Sequence, residues 1–316
     1  MMNKYMIKFG ILGLAATNVT LAQNEKGPYS VNFAADSITV NTSLGWLGGE
    51  SKEFVYDDDN GRKVSELNWK INNTAIIKGD ISWDPLFWLT LNARGWTTLA
   101  SSGAGMDDYD WLDTSQSHWT DWSNSPNTRL NHANEFDINA KAWLVKRSDY
   151  KVGAVVGYQQ TRFSWTAFGG HYQYDNGNYV GDFPRGERGI GYQQKFSMPY
   201  VGLAGGYRYR DIEFNALLKF SPWVEARDND EHYMRDLTFR EKTSGSNYYS
   251  ASMDVGYYVT PNAKVFTEFT WSKYSQGKGG TQVIDRVSGE SSHEGGDVAG
   301  IENKNYSLTA GLQYRF

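Results

Sequence analysis

Cysteine is absent from the 316 residues, which removes structural disulfides, thiolate metal sites and a cysteine nucleophile together. Proline is sparse at 7, and no segment offers the roughly 20 consecutive apolar residues of a membrane-spanning helix. With a mean hydropathy of −0.60, the composition argues against a polytopic helical membrane protein. The net charge of −5 gives no basic excess, so general nucleic-acid binding is not expected. What the chain has in quantity is glycine (33), tyrosine (21) and tryptophan (12).

The first 22 residues read as a secretory signal peptide: Lys4 and Lys8 precede the short apolar run 9–16, and Ala22 is a plausible last residue before cleavage. Residues 23–316 then form one domain, since no linker or low-complexity tract divides them.

Beyond the leader the chain alternates with period two, the pattern of strands with two unlike faces. Tyr306, Leu308, Ala310, Leu312, Tyr314 and Phe316 oppose Ser307, Thr309, Gly311, Gln313 and Arg315. Ile212 to Phe220, Tyr249 to Val259 and Phe87 to Ala93 repeat the scheme, and weaker segments bring the number to about ten. A soluble β-sandwich alternates in the same way. Aromatic residues at the ends of the apolar stripes, the strand-terminal Phe316 and the leader favour instead a ten-stranded antiparallel transmembrane β-barrel in a bacterial outer membrane. Each strand with its connection has about 29 residues, whereas spanning takes about 9–11, so strands and loops must extend beyond the membrane.

Common catalytic signatures are missing, including the His-Glu-x-x-His zinc helix. Asp57-Asp-Asp-Asn-Gly61 imitates the start of a calcium loop, but Asn68 stands where the closing Glu belongs, so it reads as a solvated turn. Two acidic clusters remain. Asp108 and Asp110, two apart, share one side of an extended segment, as do Asp228, Asp230 and His232. A carboxylate beside an imidazole can orient it and keep it basic, while a carboxylate pair can hold water or share a proton. Strand parity places Asp108, Asp110 and Glu53 on the inner face. Counted from Ile212–Phe220, however, Asp228, Asp230 and His232 point outward unless a bulge intervenes, for which Pro222 is the natural place.

Six segments in order, 61–65, 89–97, 106–111, 133–137, 228–233 and 256–264, resemble the omptin family of outer-membrane proteases. Residues 231–245 and 277–281 resemble its plasminogen-activator branch. The resemblance implies an extracellular site at the barrel rim, without metal or cofactor, in which Asp108, Asp110, Asp230 and His232 activate a water for peptide hydrolysis. It implies that Glu53 and Asp228 bind an Arg or Lys side chain ahead of the scissile bond. It also implies activation by lipopolysaccharide, held by basic positions on the outer wall among Tyr158, Gln160, Arg162 and Lys195. Here Lys195 replaces a usual Arg and Gln160 a usual Glu. Expected partners are lipopolysaccharide, basic peptides or plasminogen-like proteins, and host matrix proteins. The rival readings are a non-enzymatic surface adhesin, since projecting aromatic loops can bind proteins, and a diffusion porin, which needs a wider lumen than about ten strands enclose.

Overall fold

A computed structural model describes residues 31–316; the leader assigned to residues 1–22 lies outside them. The strands are β1 (Ile38–Tyr56), β2 (Lys63–Leu86), β3 (Leu89–Thr98), β4 (Ser102–Gly103), β5 (Met106–Asp110), β6 (Asp121–Ser125) and β7 (Arg129–Lys146), followed by β8 (Tyr150–Tyr174), β9 (Tyr179–Tyr209), β10 (Ile212–His232), β11 (Leu237–Tyr258), β12 (Ala263–Asp285) and β13 (Ser291–Arg315). Ten of them, β1, β2, β3 and β7 to β13, pair with their neighbours and close into a ring through β1 and β13. Closure leaves no unpaired edge, the condition for a sheet to cross a bilayer. At one end of the barrel β5 and β6 take the place of β3 and β7 between β2 and β8.

The expected polarity is inverted relative to a water-soluble protein. Leu44, Trp46, Ile81, Ile138, Val156, Leu203, Phe214, Leu218, Met253, Phe269, Leu308 and Leu312 are exposed on the outer wall. The matching inward positions are charged and paired: Lys78 and Arg94 meet Glu268, Lys219 meets Asp137, and Lys264 lies 2.7 Å from Glu213. An apolar exterior over a polar, filled interior is the signature of a membrane barrel.

The two ends differ. At one, two residues join β9 to β10 and two join β2 to β3, and Phe316 N–H donates to Ile38 O at 3.1 Å, so the start of β1 and the end of β13 meet there. Toward the other, strands such as the 31-residue β9 and 25-residue β8 run well past the apolar band. Short turns on the inner side and long projections on the outer side fit an outer-membrane barrel, and the projection matches the length argument from sequence.

Within the projecting part lies an aromatic layer. Trp69 stacks on Tyr192 with centroids 5.0 Å apart, Trp165 lies 6.0 Å from the same ring, and Phe196 stacks on Tyr274 at 4.1 Å. All five are fully buried. Each contributes on the order of 2–3 kcal/mol by burial, and together they form a rigid floor.

Candidate active site

Above this floor the strands deliver ionisable groups to one cleft. Along β10 the inward residues are odd as far as Ser221 and even from Val224 onward. The cause is the expected bulge: pairing with β9 passes from Phe220↔Val201 to Glu225↔Ser197, five residues against four, with Pro222 and Trp223 exposed at the discontinuity. The extra residue reverses the parity and turns Asp228 and Asp230 inward, 8% and 1% exposed. Asp108 and Asp110 lie on β5, opposite the inward Leu67 and Ser65 of β2, and Glu53 points inward from β1, as parity predicts.

His232 Nε2 lies 2.6 Å from Asp230 Oδ2, and the Phe239 ring meets the imidazole edge-on at 5.2 Å. With Nε2–H donating to the carboxylate, the lone pair sits at Nδ1, which has no hydrogen-bond partner among the described residues. Burial, then the Asp110 and Asp230 charges, hold Asp108 well above the ordinary carboxylate range. Burial, with the Asp121 charge, raises Asp110 too, against a hydrogen bond from Ser65 and the charges of Arg235 and His232. Two neighbouring carboxyls on one face of a strand, raised together, retain a proton more readily than isolated ones. The four residues assigned to catalysis are thus brought together: Asp230 and His232 on one wall, Asp108 and Asp110 on the other.

Beside them is a second acidic group. Glu53 reaches across the lumen toward Asp228, whose Oδ2 accepts from Tyr192 Oη at 3.0 Å and whose Oδ1 accepts from Glu241 N–H at 3.1 Å. Gln194 ties the two walls together, donating to Tyr192 Oη at 2.8 Å and to Lys52 O at 3.2 Å. Burial, then the Asp230, Glu241 and Asp228 charges, raise Glu53 well above its usual range; burial and Asp230 push Asp228 up to about 7. Glu241, absent from the sequence assignment, completes the group: one carboxylate oxygen from each of Glu53, Asp228 and Glu241 lies within 4.8 Å of the others. The signal for it was present. Folding the chain about the turn 233–236 pairs Asp230 with Phe239 and Arg227 with Lys242, which sets Glu241 opposite Asp228.

Tyr158, Gln160 and Arg162 share the outer face of β8, and Lys195 of β9 is the direct partner of Arg162. Arg162 Nη2 donates to Gln160 Oε1 at 2.9 Å. Lys195 in turn pairs with Arg227 on β10, and Arg227 with Lys242 on β11. Four cations therefore stand side by side across four strands, with Glu225 bridging the last two. Arg227 and Lys242 were invisible to sequence reading, because a row perpendicular to the strands has no sequence period. The Asp57–Gly61 segment is a turn, closed by Asp57 Oδ1 accepting from Asp59 N–H at 3.0 Å and Asn60 N–H at 3.2 Å.

Comparison with known proteins bears on the whole described chain. The sequence model of the Omptin family matches residues 34–316. The plasminogen activator of Yersinia pestis is 61% identical over 315 residues, covering 100% of both chains. Outer membrane protease OmpP of Escherichia coli (strain K12) is 48% identical over 290 residues, 90% of this chain and 92% of the relative. The crystal structure of the outer membrane protease OmpT from Escherichia coli matches with a TM-score of 0.88 at 48% identity, covering 92% of this chain and 100% of that one.

Proposed function

The chain belongs to the omptin family of outer-membrane proteases, and on that premise we propose that it is an endopeptidase cleaving after Arg or Lys at the outer face of the membrane. The observation that carries this reading is the 2.6 Å Asp230–His232 pair in one cleft with Asp108, Asp110 and the buried carboxylates Glu53 and Asp228. His232, oriented by Asp230, takes a proton at Nδ1 from a water held by the Asp108–Asp110 pair. The water oxygen attacks the peptide carbonyl carbon. The proton on the Asp pair is placed to stabilise the oxyanion, and the imidazolium returns its proton to the departing amine. Glu53 and Asp228 hold the preceding basic side chain; a hydrogen bond to a charged group contributes about 1.5–3 kcal/mol, a preference of tenfold or more over a neutral residue.

The cation row of Arg162 and Lys195 supports binding of lipid phosphates and hence dependence on lipopolysaccharide. Cleavage of plasminogen-like proteins is supported by the likeness to the Yersinia pestis plasminogen activator. The test is hydrolysis of matched peptides with Arg, Lys or Ala before the scissile bond, by refolded protein with and without rough lipopolysaccharide. Lipid-dependent cleavage confined to Arg and Lys is expected, and Asp230→Ala or His232→Ala should lower it by ~10²–10⁴-fold while leaving any adhesion intact. Cleavage unchanged in either variant refutes the assigned mechanism; no cleavage by the parent under any condition returns the barrel to the adhesin reading.

A further inference from the structure

The specificity pocket holds one more carboxyl than its proposed role requires. Glu53, Asp228 and Glu241 come from three strands, β1, β10 and β11, and are 3%, 8% and 5% exposed. Among the described residues none forms an ion pair with Lys, Arg or His, and the charges felt by each are those of other carboxylates. Asp228 has both oxygens satisfied, by Tyr192 Oη and the Glu241 N–H. Glu53 Oε2 and Glu241 Oε2 are buried with no hydrogen-bond partner, and so is Gln194 Oε1 on the residue that holds Tyr192 in place. Burial and the neighbouring carboxyls favour the protonated forms of Glu53 and Glu241, yet unpartnered polar oxygens at such depth are expensive, and a chain retains them where something else fills the gap.

The donor set says what would fit. All the atoms are oxygens, with no imidazole or thiolate, which suits hard cations rather than zinc or copper. Calcium binds oxygen at 2.3–2.6 Å and magnesium at 2.0–2.1 Å, so oxygens that share one such ion lie within about 4–5 Å of one another. The three carboxylate oxygens lie within 4.8 Å of one another. Resting on the assignment of this pocket to a basic side chain, we propose that Glu53, Asp228 and Glu241 also form a site for a hard divalent cation such as calcium, which the cation and the substrate's basic side chain occupy in competition. Glu241 supplies a third oxygen ligand beyond the two carboxyls assigned to the guanidinium. The affinity expected of such a site in an extracellular protein is on the order of 10⁻⁴–10⁻³ M. The protease would then be restrained where free divalent cation is high and released where it is low.

The test uses full-length His232→Ala protein, refolded in detergent without lipopolysaccharide so that lipid phosphates bind no metal, and terbium as the luminescent calcium stand-in. Tyr192, hydrogen-bonded to Asp228, is the sensitising ring. Saturable terbium emission is expected, displaced by calcium, and displaced by an Arg peptide but not by its Ala counterpart. Adding Glu241→Gln should weaken terbium binding at least about tenfold, with Glu53→Gln as the independent second variant and heat-modifiable migration as the check that each is folded. Emission that does not saturate, or that is unchanged in both folded variants, overturns the site. Saturable emission that the Arg peptide leaves untouched overturns the competition. Cleavage confined to Arg and Lys peptides is measured separately, so a protein that binds terbium but cleaves nothing, or cleaves but binds none, identifies which of the two readings has failed.

Discussion

At the scale of single residues, the cleft is organised by putting carboxylates where they cannot all ionise. Asp228 shows the consequence with a definite sign. Its value in the folded protein is about 7, raised by burial and Asp230 above the ~3.9 of an unfolded chain. Folding therefore favours the protonated form: the contribution to stability is present at low pH and is lost as pH rises through about 7. On the proposed reading, the same rise creates the charge that would grip a basic side chain. Between pH 6 and 8 the kcat/KM ratio of an Arg peptide over its neutral citrulline analogue should climb about tenfold, the worth of one charge-assisted hydrogen bond. Taking the ratio cancels the titration of the catalytic groups, which both substrates share. Asp228→Asn should flatten the profile; parallel pH profiles for the two peptides in the parent protein would show that Asp228 does not set the preference.

At the scale of elements, the inward aim of Asp228 and Asp230 depends on a bulge in β10. The bulge at Pro222 and Trp223 separates a lower β10, whose odd positions face inward, from an upper β10, whose even positions do. Deleting Pro222 makes the pairing with β9 continuous and shifts upper β10 by one residue against β11, which takes Asp228, Asp230 and His232 out of their inward places. The variant should still insert as a heat-modifiable barrel, because Ile212–Phe220 keep their register, yet lose peptide cleavage by ~10²–10⁴-fold. A folded deletion variant with full activity would sink the parity argument. This element also shows what sequence reveals. The ring of ten strands, the inward aim of Asp108, Asp110 and Glu53, and the need for a bulge at Pro222 all follow from period-two alternation, because one face meets lipid and the other a polar lumen. The short β5 and β6 ladder replacing β3 and β7 near the rim does not follow, since its strands of 5 residues are too short to display a period. Glu241 escaped for a different reason: a carboxylate on a polar face is unremarkable until the hairpin register sets it against Asp228.

At the scale of the whole molecule, two charge arrangements divide the barrel's work. Inside, the pairs of Lys78 and Arg94 with Glu268 and of Lys219 with Asp137 fill the membrane section with buried partners, so the wall is braced where a porin would be open. Outside, Arg162, Lys195, Arg227 and Lys242 stand in register across β8 to β11 at the edge of the apolar band, on strands that also carry Asp230, His232 and Glu241. A lipid phosphate seated on that row would brace the projecting parts of these strands, which links lipid binding to the geometry of the cleft without any contact to substrate. Near an anionic lipid surface each such cation contributes about 1 kcal/mol, or roughly fivefold in affinity. Arg162→Gln and Arg227→Gln should each raise the lipopolysaccharide concentration for half-maximal cleavage by about that factor, Lys195→Arg should lower it by restoring a planar donor fork, and Lys304→Gln, on β13 away from the row, should leave it unchanged. Equal shifts for Arg162→Gln, Arg227→Gln and Lys304→Gln with none for Lys195→Arg would mean that the barrel responds to net charge alone; a shift for Arg162 without one for Arg227 would confine the lipid to β8 and β9.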